Sequence, residues 1–321
     1  TLYEMEKVLN SDIQGLNDYI KAYTTYIPNE EQYKVNLANS IWFKDDKSLE
    51  VNQEFLQINK DYYDANVYKA PFDESTKNDI NNWVKEKTSG MIESLLEEAP
   101  PADAIMYLIN ALSFDAEWEE IYKETQIYDG DFTLEKGEKK KVEMMQSMES
   151  SYLENESITG FIKPYKDSKY AFVAMLPKDN IPMTDLMETL DGESLMDLIE
   201  NHREEEVYVS IPKFSVEYST LLNEPLKAMG ILDAFDGWKA DFTKLGYSVN
   251  GNIYISRVIH KTKIDVDEKG TKAGAVTAGE IETESAAIEE PKWVILDRPF
   301  FYMIVDTDQN LPLFMGCLMN I

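Results

Sequence analysis

Between two hydrophobic runs lies Glu268-Lys-Gly-Thr-Lys-Ala-Gly-Ala-Val-Thr-Ala-Gly-Glu-Ile-Glu-Thr-Glu-Ser285, a stretch of small and polar residues that continues to Glu290. A connection of this length within a compact domain is either functional or disordered, and its alternation argues for the first. Every second residue from Thr271 (Thr271, Ala273, Ala275, Thr277, Gly279, Ile281, Thr283) is small or apolar. The intervening set, Lys272, Gly274, Val276, Ala278, Glu280, Glu282 and Glu284, holds every charge between Thr271 and Glu284. Strand side chains alternate between faces, so the segment is written as a strand with one face for a tight core and one for water. Four charges would share a face by chance about one time in eight, so the flanking sequence has to decide.

Outward from this segment, Trp293–Leu296, Phe300–Val305 and Leu313–Met319 read as strands on the downstream side. Upstream, strands read at Tyr170–Leu176, Val207–Phe214 and Ile253–Val266, with a helix over about Thr220–Met229. The run Ile105–Phe114 is nearly continuous apolar sequence, which predicts a strand buried on both faces and central in a large sheet. A helix is predicted over about Ser75–Leu96, capped by Asp73 or Ser75, because Ile80, Trp83, Val84, Thr88, Met91 and Ile92 fall mostly on one face. Helical and strand patterns alternate without a linker or a repeat, so one domain is expected.

Composition narrows the function. The 321 residues are 43% hydrophobic and 28% charged, the balance of a globular protein. Sixty acidic against 31 basic residues leave a net charge of -29, which repels nucleic-acid phosphates and anionic membrane surfaces and argues against both as partners. The single cysteine, Cys317, forbids an internal disulfide, and the two histidines, His202 and His260, leave little for metal chelation, so no metal or cofactor is expected. No run of about 18 apolar residues predicts a membrane span. The nucleophile-elbow, zinc-protease, phosphate-loop and dinucleotide motifs do not occur, and the expectation is a protein that is not an enzyme. Asp265-Val-Asp267-Glu-Lys-Gly270 begins like a calcium loop, but Lys269 takes a ligand position and Val276 stands where the bidentate glutamate belongs. His202, beside Arg203 and three glutamates, reads as a surface residue, and His260 as a satisfied core histidine in a strand. The opening Thr1–Leu9 has helical spacing and no initiator methionine, so a helix already under way is expected.

The flanks of the loop resemble the serpin family. Glu268-Lys-Gly-Thr271 followed by Ala273-Gly-Ala-Val276 is similar to the hinge of inhibitory serpins. Leu296-Asp-Arg-Pro-Phe-Phe-Tyr-Met-Ile304 resembles the C-terminal signature, and Leu313-Phe-Met-Gly316 the closing strand. Asn110-Ala-Leu-Ser-Phe-Asp-Ala-Glu-Trp118 is similar to the family's Asn-Ala-x-Tyr-Phe-Lys-Gly-x-Trp strand, except that Asp115-Ala116 stand where Lys-Gly is usual, which reverses a local charge. Ile211-Pro-Lys-Phe214, Leu226-Lys-Ala-Met-Gly230 and Ala240-Asp-Phe242 also match, and all of these occur in family order.

The resemblance implies an α+β fold: a single serpin domain over 1–321, with a large central mainly antiparallel sheet, two further sheets and surrounding helices. The chain would open past the family's helix A and most of helix B. It implies a reactive loop at 268–290 that baits a serine protease, is cut at Glu284–Ser285 and inserts into the central sheet, trapping the acyl-enzyme. Inserting a strand forms on the order of ten ladder hydrogen bonds worth about 1 kcal/mol each. The hinge would comprise Glu268, Gly270 as pivot, Thr271, Ala273, Gly274, Ala275, Val276 and Thr277. Asn110 and His260 would hydrogen-bond beneath the sheet at its shutter, and Trp118 would pack at the breach, near the top. A glutamate before the scissile bond suits an elastase-like or Glu-tolerant protease. A secreted, extracellular monomer is expected, with the cytoplasm as the alternative location. The competing function is a noninhibitory carrier or chaperone-type protein, which charged or bulky residues on the inserting face would favour; that face is clean.

Overall fold

The computed structural model describes residues 1–27, 33–101, 104–179, 181–271 and 291–321. The chain opens with helices α1 (Leu2–Leu9) and α2 (Ile13–Tyr26), then runs through β1 (Tyr33–Lys44), β2 (Leu49–Val51), α3 (Gln53–Tyr63), β3 (Asn66–Ala70), α4 (Glu74–Lys87) and β4 (Met106–Glu117). Next come β5 (Ile127–Thr133), β6 (Lys139–Glu154), β7 (Ile158–Pro164), β8 (Tyr170–Pro177), α5 (Met183–Thr189), α6 (Gly192–Glu200), β9 (Arg203–Pro212), β10 (Phe214–Leu221) and α7 (Asn223–Met229). The last part holds β11 (Gly246–Ser248), β12 (Ile259–Val266), β13 (Gly270–Thr271), β14 (Lys292–Ile295), β15 (Phe300–Asp306) and β16 (Leu311–Leu318). These strands make a six-stranded sheet in the order β10-β12-β13-β4-β1-β3, a β11-β2 pair, and a sheet ordered β14-β9-β6-β7-β8-β15-β16 with β5 added to β6. The expected class, α+β with three sheets, is the one observed.

The described chain divides into two compact units. In the first (Thr1–Glu30, Lys34–Ser113 and Glu217–Lys263), the core forms where α4 packs on β4. The Asp73 carboxylate caps α4 by accepting from the Ser75 and Thr76 backbone N–H groups. Ile80, Trp83 and Val84 then cluster with Tyr107, Ile109 and Ala111. The helix ends at Lys87, not near Leu96, because Ser89 and Gly90 adopt positive φ values of 52° and 78°. Met91 and Ile92 are still buried, but in irregular chain held by Thr88, whose hydroxyl donates to the Val84 carbonyl and accepts from the Ile92 N–H. β4 also corrects its expectation: Leu108 is 57% exposed and Asn110 is exposed, so the first half of the strand is buried only on the face that meets α4.

The second unit (Glu31–Tyr33, Phe114–Val216 and Ile264–Ile321) is built on the eight-stranded sheet. Every residue of β8 and of β15 is buried. The two pair antiparallel from Phe301↔Met175 to Asp306↔Tyr170. Their unbroken apolar sequences follow from being covered on both faces. One face packs Val173, Met175, Met303 and Val305 against Leu186, Leu195 and Leu198 of α5 and α6. On the other, Phe172 stacks on Tyr302 at 6.0 Å. At the end of β15 the buried Asp306 holds Lys169 at 3.0 Å.

Candidate functional site

The site begins at the turn that leaves β12. Ile264 and Val266 are buried, which fixes the strand end, and Asp267 then reverses the chain. Its Oδ1 accepts from the Lys269 and Gly270 N–H groups at 2.8 and 3.3 Å, and its own N–H donates to the Gly270 carbonyl at 3.0 Å. This Asx-type turn sends Gly270 and Thr271 back as β13. The short strand is antiparallel to both neighbours, with Thr271 opposite Val266 on β12 and opposite Ala116 on β4, and Gly270 opposite Glu117. Gly270 has φ +154°, and a Cβ there would strike the Ala116 carbonyl oxygen, so glycine alone fits the turn.

Thr271 is 1% exposed, and its Oγ1 lies 2.6 Å from Tyr165 Oη. The Tyr165 ring stacks on Trp118 at 4.5 Å. Burial pushes the Tyr165 phenol far above its ordinary value, so the residue stays a neutral hydrogen-bonding group. Trp118 holds the turn by donating from Nε1 to the Asp267 carbonyl and from its backbone N–H to the Lys269 carbonyl, both at 2.9 Å. The Tyr122 N–H donates to the Glu268 carbonyl at 2.9 Å, so three successive turn carbonyls are satisfied.

Charges lie beneath and beside this seat. Lys163 is buried, pairs with Glu149 at 2.7 Å, and lies over the rings of Trp118 and Tyr122 at 5.4 and 4.7 Å. Burial alone would push Lys163 down, but Tyr122 and Glu149 outweigh it and hold the ammonium above its ordinary value. Lys213 pairs with Glu268 at 2.9 Å and with Glu143 at 3.6 Å. The Lys213 hydrogen bond holds the Glu268 carboxyl below the usual carboxylate range.

Of the residues predicted for the site, the structure brings Glu268, Gly270, Thr271 and Trp118 together. Ala273, Gly274, Ala275, Val276, Thr277, Glu284 and Ser285 lie outside the described residues. The Asn110–His260 pair is a correction: Asn110 Nδ2 donates to Asn39 Oδ1 at 2.9 Å, and His260 is exposed and not in a core. The sheet order gives the reason, because the neighbours of β4 are β13 and β1, and among the described residues no ladder joins β4 to β12 directly. Asn110 therefore bonds toward β1, where Asn39 stands. His202 is half-buried, with Nδ1 2.9 Å from the Ile199 carbonyl. Sequence reasoning missed Tyr165, Lys163, Glu149 and Lys213. The one signal was a lysine inside the otherwise apolar Phe161-Ile-Lys-Pro164, with no hint of its partner 14 residues away.

The described residues of the site hold Gly270 and Thr271 as a short strand between β12 and β4. A sequence profile described as Serpin (serine protease inhibitor) matches residues 1–321. The leukocyte elastase inhibitor of Xenopus tropicalis is 32% identical over 288 residues, covering 86% of this chain and 74% of the relative. The crystal structure of a thermophilic serpin, tengpin, in its native state superposes with a TM-score of 0.94 at 47% identity, covering 100% of this chain and 82% of the other. The latent state of tengpin matches less closely, with a TM-score of 0.86 at 46% identity, covering 98% of this chain and 84% of the other. With a profile matched from end to end, relatives above 30% identity and a central sheet that receives the loop's first residues, the chain belongs to the serpin family.

Proposed function

We propose that this protein is a suicide inhibitor of serine proteases, which cut its loop at Glu284–Ser285 and are trapped when the loop enters the six-stranded sheet. The observation that carries the reading is the seating of Gly270–Thr271 between β12 and β4, antiparallel to both. A strand that continues past Thr271 in that register gains a ladder on each side, and each net backbone hydrogen bond contributes about 1 kcal/mol. Insertion after cleavage is therefore downhill, and the uncut protein is held by kinetics. The small residues from Ala273 to Ala275 keep the entering face free of bulk, so insertion competes with deacylation. Glu284 before the bond favours an elastase-like or Glu-tolerant target, a reading supported by the named relative that inhibits leukocyte elastase. An extracellular site of action belongs to the same proposal.

The test is incubation with an elastase-like and a Glu-specific serine protease, followed by denaturing electrophoresis and mass spectrometry. A 1:1 covalent complex that survives SDS, with the loop cut within residues 283–288, is expected. Clean cleavage with active protease released and no rise in melting temperature would overturn the reading in favour of a carrier.

A further inference from the structure

We infer that Lys163 is a positioning residue of the hinge: its buried ammonium braces Trp118 and Tyr122, the two residues that hold the turn before Thr271, and so sets how readily the loop enters the sheet. The brace stands on geometry alone, whereas its effect on entry rests on the insertion reading above and deepens it. On β7, Lys163 shares the buried face of Phe161, two residues away, and its side chain is 2% exposed. A buried ion pair gives little net stability over apolar side chains of the same volume, so where this one stands matters more than that it forms.

The pair closes a ring of contacts. Lys163 Nζ donates to Glu149 Oε1 at 2.7 Å, and the same oxygen accepts from the Ser147 hydroxyl at 2.5 Å. That hydroxyl has one proton, so at its 3.1 Å contact with Tyr122 Oη the phenol is the donor. The Tyr122 ring leads back to the start, because the ammonium lies over it at 4.7 Å and over Trp118 at 5.4 Å. Tyr122 is thus fixed through its phenol, its ring and its backbone N–H, which donates to the Glu268 carbonyl. Trp118 is held by the ammonium and by its stacking on Tyr165, and it donates to the carbonyls of Asp267 and Lys269. One ammonium therefore supports the donors of three successive turn carbonyls. A methionine at 163 would fill much of the same space without the attraction to either ring face.

The experiment compares deuterium exchange at the Trp118 and Tyr122 amides, which bond the turn, with exchange at amides of the β8–β15 ladder. The main variant is Lys163→Met with Glu149→Gln, which leaves no charge buried alone and keeps an acceptor for Ser147. Its turn amides are expected to exchange about tenfold faster while the ladder stays within about twofold of the wild type. Lys163→Arg, whose guanidinium also lies on aromatic faces, is expected to keep the turn amides within about threefold of the wild type. With an elastase-like protease, the double variant is expected to need about twofold more inhibitor per protease trapped, because a hinge that opens more often starts insertion later. Turn amides that exchange at the wild-type rate in the double variant overturn the brace, and so does an equal rise in turn and ladder amides. Faster turn exchange with an unchanged trapping ratio overturns the effect on entry. If the wild type traps no protease, the insertion reading falls, and the exchange rates still decide the brace. Should the double variant not fold, Glu149→Gln alone decides: turn amides no faster than in the wild type overturn the proposal.

Discussion

Thr271 Oγ1 and Tyr165 Oη lie 2.6 Å apart in a place where both side chains are almost sealed from water. Tyr165→Phe leaves the threonine hydroxyl buried without that partner, at a cost of about 1–3 kcal/mol. We expect the hinge to open locally more often, so that the Thr271 amide exchanges with deuterium about 10- to 100-fold faster. Tyr128→Phe removes a phenol bonded to Ser210, away from the seat, and should leave that rate unchanged.

Thr271→Arg tests the seat more severely. On the insertion reading an arginine here is buried in the cut protein. The structure has Thr271 already 1% exposed, so the uncut protein bears the burden too. An unpaired buried charge costs several kcal/mol, more than a two-residue ladder returns, and the hinge should leave its seat. Melting of the uncut variant is expected to fall, and protease should emerge active with the loop cleaved. Lys272→Arg keeps the charge and should still trap protease.

Glu268 makes the turn sensitive to acid. Its carboxyl is held below the ordinary value of 4.5 by Lys213, so the pairing contributes fully above that pH and is lost as pH falls through the lower folded value. Melting temperature measured from pH 6 to pH 3 should fall more steeply in the wild type than in Glu268→Gln. Parallel curves would mean the pair does not stabilise the fold.

Asp306→Ala separates stability from trapping. Asp306 is fully buried against Lys169, and its Oδ1 also accepts from the Asp308 and Gln309 N–H groups at 3.1 Å each. Removing one partner of a buried ion pair costs about 3–5 kcal/mol, a fall in Tm of roughly 6–20 °C. Variant that survives at 25 °C should trap protease with the wild-type stoichiometry, since Tyr165, Trp118 and Tyr122, not this pair, hold the turn and Thr271 in place.

What could be read in advance was what periodicity and turn chemistry encode. Tyr170–Leu176 and Phe300–Val305 were legible as strands because their apolar runs are uninterrupted. The six strands from β1 to β7 other than β4 were not singled out. Lys139–Glu154, for example, mixes six charged residues into sixteen, and its strand is imposed by pairing with β5, β7 and β9. Helix α4 was read too long because Met91 and Ile92 continue its apolar face, while Gly90 marks where the chain turns. The strand start at Gly270 and Thr271 was legible. Its seat was not, because Tyr165, Lys163 and Glu149 come from β6, β7 and the residue after β7, and only the folded sheet brings them under Trp118.

The pairing of β8 with β15 also has a consequence in time. β8 ends at Pro177 and its partner begins at Phe300, so 122 residues must be made between them. At about 5–20 residues per second, a ribosome holds the edge of a fully apolar strand without its neighbour for roughly 6–24 s. Such an edge is a template for pairing with other chains. Synthesis of this protein in a cell is therefore exposed to association before the sheet is complete, and the emergence of β15 ends the exposure.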